Sequence, residues 1–306
     1  MRKMCYAVLV TILAAGILSA CGTNAATEPV TPSESPVQTE TPTPEVSATP
    51  TATPAPTAEG VTPTVTPTEA PEPIRDLSEF DPKEFFKEAV FCGDSLMHLY
   101  RFRGGPSTTP DIFGDRNTSS WLTITNYCAR LAVKDVSTML PWEKASVPSF
   151  RGEKVNLWDA IPQTGKKRVM LFFGLNDIGP VGIDQFIADY KAVIEHIRET
   201  TPDAKFYILS VTPVRKDMRD GWLNSKSIQK TNERLLEMCE ENGLVYVDVT
   251  TILSDSEGYL ITVKDGKSLS DGSNVHLTNA GYVYWDIVLE QLAREELRKE
   301  YYEGRK

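Results

Sequence analysis

Three short stretches of this chain carry residue types that could make and break an ester bond. In VFCGDSLMHLY (90–100), Ser95 follows Gly93 and Asp94 where an apolar run gives way to a helical pattern. A hydroxyl at that point sits beside the outward-facing N–H groups of a helix start, donors suited to the oxyanion formed when serine attacks a carbonyl. In LFFGLNDIGP (171–180), Asn176 could aim its amide at the same place. In SLSDGSNVHLTNAGY (268–282), His276 is one of three histidines in the chain. Imidazole can take the serine proton near neutrality and return it to a leaving alcohol. The upstream carboxylate of Asp271 could fix its tautomer and stabilise the imidazolium. Each stretch also has a plainer reading. Asp94 or Ser95 caps a helix, Gly-Leu-Asn-Asp is a turn, and His276 is a surface histidine.

The elements around these residues decide whether they can meet. Short apolar runs at 89–93, 168–174, 205–211 and 244–249 predict buried parallel strands. Between them, Ile183, Phe186, Ile187, Tyr190, Val193, Ile194 and Ile197 fall on one face of a helix. A second helix runs over 224–243 and ends at Gly243 as C-cap, and a third runs from about Asn279 to Lys299 behind Thr278 as N-cap. The segment 106–154 should hold a further strand and helix, but its pattern is mixed. Strand–helix alternation predicts an α/β domain, a mostly parallel sheet with helices on both faces. Ligands of such sheets sit outside the carboxyl ends of the strands, where Ser95 and Asn176 fall.

The first quarter of the chain is different. Arg2 and Lys3 precede an uncharged apolar run, Ala7 to Leu18, shorter than the roughly 20 residues of a membrane span and suited to a signal peptide. The run ends in Leu18-Ser19-Ala20-Cys21-Gly22, which resembles the lipobox of bacterial lipoproteins; that resemblance implies a lipidated Cys21 and an extracytoplasmic, membrane-anchored protein. Residues 22–75 are rich in Thr, Pro, Glu and Ala, too poor in apolar bulk to fold, and their Thr-Pro repeats favour extended polyproline II. They read as a stalk. The organisation expected is a signal segment over 1–21, a stalk over 22–75 and one domain over 76–306. Net charge is −10, part of it in the stalk, and no basic cluster of the kind that binds nucleic acid occurs. Cys92, Cys128 and Cys239 remain in the domain, an odd number without metal-like spacing, and read as small buried apolar residues.

Taken in order, strand–Gly-Asp-Ser-Leu, strand–Gly-Leu-Asn-Asp and Asp-Gly…His-Leu-Thr-Asn-Ala-Gly before a last helix resemble the GDSL/SGNH hydrolase family over about residues 80–297. SVTPVR (210–215) belongs to the same resemblance. The resemblance implies a flavodoxin-like three-layer α/β/α sandwich around a five-stranded parallel sheet. It implies Ser95 as nucleophile, Asn176 as side-chain oxyanion donor and His276 as base, with Asp271 as the nearest acid. The activity implied is ester hydrolysis through an acyl-serine, with no metal or organic cofactor. His98 and His196 match nothing in the family; His98 reads as packing or substrate rim, His196 as solvated.

Two departures stand out. The family places a glycine between the serine and asparagine motifs, and here none occurs between Gly114 and Gly152; a backbone N–H within NYCARLA (126–132) would have to serve. The family also places its acid three residues before the histidine. That position is Ser273, so Asp271 would have to bulge inward, or Asp265 or a carbonyl would orient the ring. The reading that follows is a monomeric, surface-tethered serine esterase acting on short acyl groups, such as O-acetyl on carbohydrate. A lysophospholipase or lipase and a catalytically impaired carbohydrate-binding module are the alternatives.

Overall fold

Asp81 opens the first helix: its carboxylate accepts the Lys83 N–H, Pro82 fills the first helical position, and α1 (Pro82–Lys87) buries Phe85 and Phe86. The computed structural model describes residues 75–103, 112–114, 116–118, 120–217 and 221–305, all in one compact unit. The signal segment, Cys21 and the stalk up to residue 74 lie outside the described residues. After α1 the chain alternates. β1 (Ala89–Gly93) leads into α2 (Ser95–Arg103), and β2 (Ser120–Thr123) into the short α3 (Ala129–Ala132) and α4 (Pro141–Ala145). A hairpin of β3 (Ser149–Phe150) and β4 (Glu153–Lys154) precedes α5 (Leu157–Thr164). Then come β5 (Arg168–Phe172), the single-turn α6 (Ile178–Val181), and α7 (Ile183–Thr200). β6 (Lys205–Leu209), α8 (Ser225–Asn242) and β7 (Val245–Val247) follow. A hairpin of β8 (Val263–Lys264) and β9 (Lys267–Ser268) precedes the last helix, α9 (Asn279–Glu303).

Five strands form one sheet in the order β2-β1-β5-β6-β7, every pair parallel. One helical layer contains α1, α2 and α9; the other contains α3, α5, α7 and α8. This is the three-layer α/β/α sandwich expected. The strands stop a residue or two short of their apolar runs, because Phe173, Val211 and Val249 are buried in the turns beyond the ladder. Gly243 closes α8 with φ 62°, and the Thr278 hydroxyl accepts the Gly281 N–H at the start of α9, as their types predict.

α5 escapes sequence reading because Pro162 lies inside it. Proline cannot donate to the Trp158 carbonyl one turn back; the Thr200 hydroxyl of α7 donates there instead, at 2.7 Å. The mixed segment holds the edge strand β2 and two short helices, with no long periodic run to read. The three cysteines are buried and unbridged, and burial pushes the Cys128 and Cys239 thiols up to about 12 and Cys92 higher still.

The order of the sheet decides where a site can form. From β1 the chain moves outward to β2, then returns to the other side of β1 for β5, β6 and β7. The turns leaving β1 and β5 therefore diverge, and they open a crevice between two neighbouring strands.

Candidate active site

Ser95 and Asn176 flank that crevice. Gly93 pairs with Phe172 across β1 and β5. A Cβ at Gly93 would stand 2.7 Å from the Phe172 carbonyl oxygen and 2.9 Å from Met97 Cβ, so only glycine lets the strand turn into α2 this close to β5. Asp94, fully buried, caps α2 by accepting the Leu96 N–H at 2.9 Å. The capping role and the placement of Ser95 thus coexist: Asp94 caps, and Ser95 is left half-buried at the helix start. In the turn just beyond β5, Gly174 adopts φ 138°, and a Cβ there would meet Val211 at 2.5 Å.

His276 comes from the far end of the domain. Its Nε2 lies 2.9 Å from Ser95 Oγ. The loop carrying it is closed at its base, where Ser270 bridges Leu277 and the Asp271 N–H donates to the His276 carbonyl. Two anchors hold this loop from outside. Arg215, the last residue of SVTPVR, donates its backbone N–H to Asn274 O at 3.1 Å and its guanidinium to Gly272 O at 2.9 Å. Tyr282, in the first turn of α9, donates its buried hydroxyl to the Leu96 carbonyl at 2.8 Å and ties α9 to α2. Neither anchor was singled out as a site residue from sequence, since each acts only through contacts distant along the chain.

The other ring nitrogen meets a residue that sequence reasoning missed. His276 Nδ1 lies 3.2 Å from Ser273 Oγ, which also accepts the His276 backbone N–H at 3.0 Å. Asp271 stands one step behind: its carboxylate accepts the Ser273 N–H at 2.9 Å. Asp265 occupies the turn of the β8–β9 hairpin with φ 51°, exposed and beside Tyr284. The group seen on Nδ1 is therefore the hydroxyl at the third position before the histidine. The signal was present in that spacing, but serine was read there only as a missing acid.

Asn176 directs its amide into the same region, where Nδ2 donates to Tyr127 O at 3.2 Å and lies 3.5 Å from Asp94 Oδ2. Its neighbour Asp177 is buried and accepts the N–H groups of Ala129 and Arg130, joining the turn after β5 to α3. Burial pushes the Asp94 carboxyl up to about 8, with nearby Asp177 adding to the rise. Burial likewise raises Asp177 to about 6 against the pull of its two backbone donors.

Asn126, just beyond β2, adopts φ 60°. Asparagine is among the few non-glycine residues that accept the left-handed region readily. Around it, the N–H groups of Tyr127, Ala129, Arg130, Leu131 and Ala132 all donate to protein acceptors.

The remaining histidines do not converge on Ser95. His98 is half-buried, with Nδ1 3.2 Å from both the carbonyl and hydroxyl oxygens of Thr123, and desolvation lowers its pKa. His196 corrects the expectation of a solvated residue. It is half-buried edge-on against Trp158, ring centroids 4.5 Å apart, because α5 covers that side of α7. Among the described residues, no group of three or more His, Cys, Asp or Glu side chains is arranged to hold a metal ion.

The model of the GDSL-like lipase/acylhydrolase family matches residues 91–284. No curated protein matches the chain. Among solved structures, the chain is similar to a GDSL-like lipase from Bacteroides thetaiotaomicron, at 16% identity, covering 70% of this chain and 90% of that one, with a TM-score of 0.49. It is similar to the periplasmic domain of a lipopolysaccharide acetyltransferase from Salmonella ser. Paratyphi A, at 16% identity, 66% and 82% coverage and a TM-score of 0.47. It is also similar to a carbohydrate esterase family 3 protein from Talaromyces cellulolyticus, at 13% identity, 69% and 98% coverage and a TM-score of 0.44.

Proposed function

Since the chain belongs to the GDSL-like lipase/acylhydrolase family, we propose that it is a serine esterase in which Ser95 is the nucleophile and His276 the base. The observation that carries this reading is the 2.9 Å approach of Ser95 Oγ to His276 Nε2 at the carboxyl end of β1. His276 Nε2 takes the hydroxyl proton as Oγ bonds to the ester carbonyl carbon. The negative charge that develops on the carbonyl oxygen meets the Asn176 amide and the Ser95 N–H at the start of α2. The C–O bond to the alcohol then breaks, and the alcohol leaves with the proton from Nε2. Water repeats the sequence on the acyl-serine: it gives a proton to Nε2, attacks the acyl carbon, and releases the acid as Ser95 recovers its hydrogen.

The finer reading is a membrane-tethered enzyme acting on short acyl groups, above all O-acetyl groups of carbohydrate. Lipidated Cys21 would anchor it, and the Thr/Pro-rich stalk would project the domain outward, away from lipid. Trp222 supports a sugar substrate: it is 69% exposed and lies over Gly179, one turn beyond Asn176. A flat, exposed indole of this kind offers a pyranose ring an apolar face. Hydrolysis of p-nitrophenyl acetate by the purified domain, compared with a long-chain ester, tests the reading. Preference for the long chain would overturn the short-acyl proposal in favour of a lysophospholipase or lipase.

One observation favours a second reading, a binding module with catalysis lost: Nδ1 of His276 faces a hydroxyl where the family carries a carboxylate. Labelling by a fluorophosphonate in the wild type and not in Ser95→Ala eliminates that reading. Absence of labelling in both sinks the esterase.

A further inference from the structure

We propose that Ser273 is the positioning residue for His276, and that this base works with a neutral partner. The proposal rests on the reading of Ser95 and His276 given above, and goes beyond it in assigning the third member of the relay. The geometry is specific. Ser273 Oγ stands 3.2 Å from Nδ1 and accepts the His276 backbone N–H at 3.0 Å, so one oxygen fixes both the ring and the backbone that carries it. With Nδ1–H donating to Ser273 Oγ, the lone pair is left on Nε2, facing the Ser95 hydroxyl at 2.9 Å. That is the tautomer a general base requires.

Ser273 is itself held on three sides. Its N–H donates to the Asp271 carboxylate at 2.9 Å, its carbonyl accepts from the Ser270 hydroxyl at 3.1 Å, and the loop is braced by Arg215 through Gly272 and Asn274. Asp271 thus acts at one remove. Its carboxylate shapes the turn that presents the hydroxyl, by accepting the Ser273 N–H. A hydroxyl can orient imidazole as an acceptor, but unlike a carboxylate it can also donate, and it does not neutralise the imidazolium that forms during acyl transfer. The rate of this enzyme is therefore held down at a single position, and restoring a carboxylate there should raise it.

The test compares Ser273→Ala, Ser273→Thr, Ser273→Asp and Asp271→Asn in the full domain, by p-nitrophenyl acetate kinetics from pH 5 to 9 and by ¹⁵N NMR of the His276 ring. In the wild type the ring is expected as the Nδ1–H tautomer, becoming a mixture in Ser273→Ala. Ser273→Ala should lower kcat about tenfold with KM within about twofold, and Ser273→Thr should recover most of the loss. Ser273→Asp should raise kcat about tenfold and shift the acidic limb of kcat/KM to higher pH, because a carboxylate favours the protonated ring. Asp271→Asn should cost less than Ser273→Ala. An Nε2–H ring in the wild type overturns the proposal, and so does a Ser273→Ala variant with unchanged ring and profile. An Nδ1–H ring lost in Ser273→Ala, without Ser95-dependent hydrolysis, would support the positioning role while sinking the esterase.

Discussion

The two ends of the central sheet bury carboxylates in opposite ways. At the carboxyl end, Asp94 and Asp177 are held by backbone N–H groups, and burial raises both. At the amino end, the 1%-exposed Glu296 of α9 is ion-paired with Lys205 and Lys299 and accepts the Tyr207 hydroxyl at 2.9 Å. Burial pushes Glu296 up, but its two lysines outweigh that and leave it lowered. One end offsets its buried carboxylate with cations; the other sets its carboxyls against amides, beside the proposed nucleophile. Unfavourable electrostatics are thus concentrated where chemistry is proposed, a pattern common to functional sites.

Substitutions at each end should separate function from stability. Ser95→Ala should remove ester hydrolysis by about 10,000-fold or more, read as kcat against p-nitrophenyl acetate, with no loss in Tm. Asn176→Ala, also at the carboxyl end, should lower kcat by about 100- to 1,000-fold through loss of an oxyanion donor. Glu296→Gln should do the reverse. It leaves two half-exposed lysines without their buried partner at a cost of about 2 kcal/mol, discounted for solvent access. For a domain of this size that is about 5 °C in Tm, and kcat should hold within about twofold. An effect of Glu296→Gln on kcat larger than on stability would break the comparison.

The smallest effect sharpens it. Asp94 is raised in the folded state, so its contribution to stability is present below the ordinary carboxylate pKa and is lost as pH rises toward about 8. Glu296 is lowered, so its contribution is present above the ordinary glutamate pKa and is lost as pH falls through its folded value. Asp94→Asn should therefore flatten the fall in urea-unfolding free energy between pH 5 and 9, while leaving the acid limb intact. An unchanged slope would show that Asp94 does not titrate in that range.

Much of this arrangement was legible from residue types alone. The β1, β5 and β6 runs are continuously apolar, α7 has a regular apolar period, and Gly93, Gly174 and Gly243 mark turns that exclude or disfavour a side chain. Ser95 and His276 could be read because they stand at element ends, where the fold class puts chemistry. What failed to show depends on contacts distant in sequence or on backbone angle. In α5 the carbonyl that Pro162 leaves without a helical donor is served by Thr200, thirty-eight positions on. Asn126 supplies a left-handed turn that sequence reading assigns to glycine. In sequence, Ser273 reads as an omission, because the spacing calls for an acid and a hydroxyl shows its use only once it meets the ring. Asp271 lies in the loop expected, where its carboxylate accepts the N–H of Ser273, the residue that touches the ring.

The 181-residue separation of Ser95 from His276 carries a consequence for synthesis. Ser95 emerges from the ribosome well before His276, the other half of the proposed proton relay. Tyr282 must also be made before α9 can be fastened to Leu96. Contacts this distant in sequence form late and as part of the cooperative whole. Until His276 and the start of α9 are made and docked, the proposed nucleophile stands without its proposed base, so the folding of this late-made part of the domain would switch on any activity that Ser95 carries.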